Sequence, residues 1–134
     1  DRTGIGHDRI MLEALRDEWR TMGCEPLGPG AGFVVLDEGF HLALAEAAGN
    51  PVLVELLASI NERIRIVRMQ DFLTEDRVAQ TIDEHLGIVE ALLTGDLDAT
   101  EHRFAVHVEA SIAVVEERVH RALARMATTA PRPF

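Results

Sequence analysis

Leu36-Asp37-Glu38-Gly39-Phe40-His41-Leu42-Ala43-Leu44-Ala45-Glu46-Ala47-Ala48-Gly49-Asn50-Pro51 places an ionisable pair where a helix should be greasy. At about 100° per residue, Asp37 and His41 are i,i+4 neighbours, and Phe33, Leu44 and Ala48 share their side. That side faces a core. A carboxylate and an imidazole buried together are costly unless they pair with each other or hold a cation. The segment also sets the fold class, because Gly49-Asn50-Pro51 ends one helix and begins another.

The same punctuation recurs along the chain. A frayed entry or linker remnant at residues 1–7 precedes a helix over about Asp8 to Met22, with Ile10, Leu12, Leu15, Trp19 and Met22 as its apolar stripe. The run Gly23 to Gly32 holds too much Gly and Pro for a helix and reads as a loop. Further helices are expected over about Phe33–Ala48, Pro51–Gln70, Glu75–Thr94 and Asp96–Met126, with a tail beyond, so the domain spans 8–126. In the third helix Leu53, Leu57, Ile60, Ile64 and Val67 form the stripe expected to be buried, while Arg63, Arg65 and Arg68 read first as a solvated face. These short connections predict an all-α antiparallel bundle of about five to six helices, with a metal or ligand cavity inside.

Composition narrows the function classes. The chain has 134 residues, one domain's worth, with a formal charge of −10 and a single cysteine, Cys24. An acidic surface argues against this segment gripping nucleic acid or an anionic membrane. No apolar run approaches the ~20 residues a spanning helix needs, and a lone cysteine fits a reducing compartment, so a cytoplasmic location is expected.

His85 lies at the centre of an apolar face, with Val78, Ile82, Val89 and Leu92 at −7, −3, +4 and +7. His107 is placed similarly, with Thr100, Phe104, Ser111 and Val114 on its side. The Gly95-Asp96 turn falls ten residues after His85 and eleven before His107, so at ~1.5 Å per residue both stand roughly 15–17 Å from one hairpin turn. They are level across an antiparallel pair. Together with Asp37 and His41, three imidazoles and one carboxylate can converge in the bundle core as a metal site. A single histidine on an apolar face is more often a core residue, and His7, His102 and His120 are read that way or as surface.

In combination and order, the Asp37-x3-His41 pair, Gly49-Asn50-Pro51, Glu84-His85, Gly95-Asp96 and His107 resemble the FCD domain, the ligand-sensing C-terminal half of FadR-type transcription factors of the GntR family. The resemblance implies a dimerising helical bundle whose metal-containing members use an Asp and three His, matching Asp37, His41, His85 and His107 by motif position. It also implies that DNA is read by a winged-helix domain that this sequence does not include. The Gly-Pro-Gly-Ala-Gly loop departs from the family's pattern.

A divalent cation with one carboxylate and three neutral imidazoles carries a local charge near +1, poorly screened when buried, so an anion is the expected guest. The reading is therefore a metal-dependent sensor of a small organic acid, working as a homodimer, with Arg63 and Arg68 as candidate second anchors for the carboxylate. The mixed nitrogen and oxygen set suits zinc first, then nickel, manganese or iron. Two alternatives stand beside it. One is a metal-dependent hydrolase, for which a general base is missing because Glu84 points about 100° from His85; the other is a dimerisation module with a purely structural zinc.

Overall fold

The computed structural model describes residues 6–24 and 28–129. Five helices follow in order: α1 (Arg9–Cys24), α2 (Ala31–Ala47), α3 (Pro51–Arg68), α4 (Glu75–Thr94) and α5 (Leu97–Thr129). The sequence expectations for residues 1–5, 25–27 and 130–134 fall outside the described residues.

Each boundary has a local cause. The Asp8 carboxylate accepts from the Met11 amide at 3.0 Å and starts α1, while the Asp8 amide donates to the Ala47 carbonyl at 2.8 Å, tying that start to the end of α2. Asn50 caps α3 through the Leu53 amide, with Pro51 at its first turn. Thr74 caps α4 through the Arg77 amide, and Asp96 caps α5 through the Ala99 amide. Gly95, at φ 75°, turns the chain between α4 and α5, with the Asp96 amide reaching back to Ala91 and the Gly95 amide to Leu92.

Two helix ends run further than the composition predicts. Gly23 and Cys24 continue α1, and α5 continues to Thr129 rather than stopping near Met126. In both cases, weak breakers at an end did not outweigh the preceding helix.

The helices pair as antiparallel hairpins. α1 lies along α4, where Arg9 reaches the Leu93 carbonyl and Gly23 approaches Ile82. α2 pairs with α3 and α4 with α5, whereas α3 touches α5 only lightly. The core gathers Leu12, Leu15 and Trp19 of α1, Phe33, Val34 and Phe40 of α2, Phe72 of the α3–α4 turn, and Val78, Ile82, Ile88, Val89 and Leu92 of α4. Trp19 sits at its centre with edge-on contacts to Phe33 and Phe40.

The third helix departs from expectation. Its stripe is not core: Leu53, Ile60, Ile64 and Val67 are 40, 48, 39 and 46% exposed, and α3 has no buried residue. Leu53, Leu57, Ile60 and Ile64 instead form one wall of a cavity of about 520 Å³ between α2, α3, α4 and α5. Periodicity finds an apolar side, and this one faces open space rather than packed side chains.

Because Gly95 alone supplies the left-handed turn that sets α4 against α5, Gly95→Ala is expected to lower the unfolding free energy by about 1–2 kcal/mol, read as a shift of the urea midpoint at unchanged slope.

Candidate metal centre

Asp37 and His41 stand one turn apart on α2, His85 at mid-α4, and His107 on α5, so three helices bring four side chains to one point. One ligand atom from each lies within 4.8 Å of the others. At bond lengths of about 2.1 Å two ligands of one cation are about 3.4 Å apart in a tetrahedron and about 4.2 Å apart when opposite in an octahedron, so the set would draw in by between about half and one and a half ångström around an ion. The hairpin arithmetic is met: the His85 and His107 rings are 4.7 Å apart between centroids.

His85 is the deepest of the four. Its ring is fully buried, stacked on Phe40 at 3.7 Å and an interplanar angle of 5°, with Trp19 edge-on at 4.3 Å. These aromatics fix the ring without using its nitrogens. Nε2 comes within 3.0 Å of the Asp37 Oδ1, but the approach lacks hydrogen-bond alignment, and both ring nitrogens and Oδ1 are left without a partner. Buried polar atoms are rarely left so, since each costs roughly 1–3 kcal/mol. A cation among them would satisfy Oδ1 and an imidazole nitrogen together, so the donor set and its orphaned atoms fit a divalent metal.

The other side of Asp37 is closed. Oδ2 accepts from Arg68 Nη2 at 2.7 Å, and the same nitrogen lies 3.4 Å from Asp71 Oδ2. From there an ion-pair girdle runs on: Asp71 Oδ1 accepts from Arg77 Nε at 2.7 Å, Arg77 Nη1 donates to Glu84 Oε1 at 3.3 Å, and that oxygen is 2.9 Å from His107 Nδ1. Arg77 also donates to the Ser111 hydroxyl at 2.8 Å. A chain of alternating charge thus links a carboxylate of the cluster to an imidazole of the cluster. Three carboxylates against two guanidiniums leave it one negative charge when the imidazoles are neutral, which suits a cation.

Sequence reasoning turned Glu84 away from the site because it points about 100° from His85. It does turn away from His85, and thereby meets His107 on the neighbouring helix. With Glu84 on Nδ1, the His107 Nε2 faces inward, 3.4 Å from the His41 Nε2. Arg77, Asp71 and Glu38, the last held by two 2.8 Å bonds from Arg65, were also missed. Nothing in periodicity marks them, because their partners lie on other helices. Arg68 lines the cavity but is engaged with Asp37 and Asp71, whereas Arg63 is exposed and is not among the residues lining the cavity. His7 also lines the cavity, and His102 and His120 are exposed.

Burial shapes the protonation states. It drives the His85 imidazole down to about 3, against an ordinary 6.5, overcoming the pull of Asp37, and it lowers His107 despite Glu84. Burial by itself would raise Asp37, but the imidazoles of His41 and His85 outweigh it and hold the carboxyl well below its ordinary range. Near neutrality the cluster therefore presents a carboxylate with neutral His85 and His107, the forms a metal requires.

The family model for the FCD domain matches residues 7–110. No curated protein and no solved structure matches the chain.

On acidification below about 6.5 the unfolded chain protonates His85 first while the fold keeps it neutral to about 3, so stability is full above that window and falls within it. His107, lowered in the same direction, adds to the loss. In metal-free protein the urea unfolding free energy is expected to drop by up to about 1.4 kcal/mol per pH unit for one imidazole, and a flat profile between about pH 7 and 5 would contradict it.

Proposed function

This chain belongs to the FCD domain family, the C-terminal domain of GntR-family, FadR-type regulators, and on that premise we propose a metal-dependent effector-sensing domain that binds a small organic acid. Asp37, His41, His85 and His107 hold the divalent cation, zinc first among the candidates, and the cation supplies a Lewis-acid anchor for the ligand's carboxylate. DNA is read by a domain outside this sequence, and the effector acts through the geometry of a homodimer.

The observation that carries the reading is that Asp37, His41 and His107 all line the 520 Å³ cavity, so the cluster has an accessible face with room for a ligand beside it. A purely structural zinc needs a closed shell and has no use for such a cavity. The hydrolase alternative draws no support from Glu84, whose oxygens are taken by Arg77, Gln80 and His107.

Within this reading Arg68 is first an orienting group. By holding Oδ2 it turns Oδ1 toward the imidazoles, and its place in the cavity wall adds positive charge where an anion would sit. Arg63 is not retained as an anchor, since its side chain is exposed and away from the cavity lining.

Two measurements test this. Isothermal titration of metal-loaded protein against small organic acids is expected to show binding that disappears after chelation, and no binding by any acid at full metal occupancy would refute the sensor. Glu84→Gln, which removes the charge orienting His107, is expected to weaken the metal about 10–100-fold in a competition titration while leaving the helical content unchanged.

A further inference from the structure

The cavity's own wall specifies more than a carboxylate. Three α3 side chains, Leu57, Ile60 and Ile64, and three from α5, Phe104, Val108 and Ile112, line the cavity. Several polar groups of the wall are engaged within the protein. Glu38 is bound by Arg65, Ser111 accepts from Arg77, and the Thr100 hydroxyl donates to the Asp96 carbonyl of its own helix. On α3, between Ile60 and Ile64, Asn61 lines the cavity, and its Nδ2 is shielded from solvent with no hydrogen-bond partner among the described residues.

Resting on the sensor reading above, we infer that the effector is an organic acid with a hydrocarbon body, its acid end at Asp37, His41 and His107, its body against the α3 and α5 side chains, and one of its oxygens accepting from Asn61. A polyhydroxylated body in the same place would exchange its hydration for the apolar α3 and α5 side chains and recover few partners. A hydrocarbon body gains about fourfold in affinity for each methylene-sized group taken from water. The α2–α3 pairing, in which Glu38 meets Arg65 and Asp37 meets Arg68, puts Asn61 within about one helical turn of His41, so the amide stands nearer the acid end than the far end of the body.

Lactate, phenyllactate and gluconate share one hydroxy-acid head and differ only in body, so calorimetric titration of the three into zinc-loaded protein isolates the cavity's contribution. Phenyllactate is expected to bind at least about tenfold tighter than lactate, and gluconate no tighter than lactate. Gluconate binding as tightly as phenyllactate would overturn this inference and leave the sensor reading standing. Binding by none of the three, with zinc occupancy verified by elemental analysis, would overturn both. Asn61→Leu is expected to weaken phenyllactate about tenfold at unchanged zinc affinity, the worth of one hydrogen bond; an unchanged phenyllactate affinity would remove Asn61 from the site.

Discussion

A carboxylate 3% exposed and an imidazole with no exposure cannot share a core without structure built to hold them, and most of this fold's polar architecture follows from that. Asp37 divides its labour between two oxygens. Oδ2 is satisfied by Arg68, which leaves Oδ1 to face the histidines. Arg68 in turn is balanced by Asp71, Asp71 by Arg77, and Arg77 by Glu84, until the chain closes on His107. Each buried charge is made tolerable by the next.

The apolar core performs a different task, which is to fix the ring that has no hydrogen bonds. Trp19, Phe33, Phe40 and Phe72 form a chain of edge-on contacts, and His85 ends it, stacked on Phe40. An imidazole held by stacking retains free nitrogens, whereas one held by hydrogen bonds has spent them. His107 is treated in the opposite way, through Glu84 on one nitrogen, and this commits its other nitrogen to the cluster. Core and girdle thus orient two imidazoles by separate means toward one point.

Much of this was readable before the fold was known, for definite reasons. Asp37 and His41 lie on one helix, where spacing alone makes them neighbours, and His85 and His107 flank a single tight turn that converts counting into distance. The bundle itself followed from caps and stops at Asn50, Thr74, Gly95 and Asp96 that all act as their residue types predict. What escaped were contacts between helices whose relative rotation no local pattern sets: Glu84 to His107, Arg77 to Asp71 and Ser111, Arg65 to Glu38. The third helix failed for a related reason. Its stripe has the period of a core face, but period says nothing of whether the opposite surface is near enough to touch.

The third helix, with no buried residue, is also where the binding energy of a ligand of the proposed kind would have purchase. A sensor responds only if its ligand favours one arrangement over another, and a helix already packed on all sides has little freedom to differ. α3 packs along α2, joined to it also by the Arg65–Glu38 and Arg68–Asp37 pairs, and meets α5 only lightly, with its apolar side lining the cavity. A body filling that space would bring α3 and α5 into contact through itself, and Arg68 would carry the movement of α3 directly to the carboxylate at the centre. In the reading proposed above, the helix with no buried residue is therefore the one placed to couple occupancy of the cavity to the rest of the bundle.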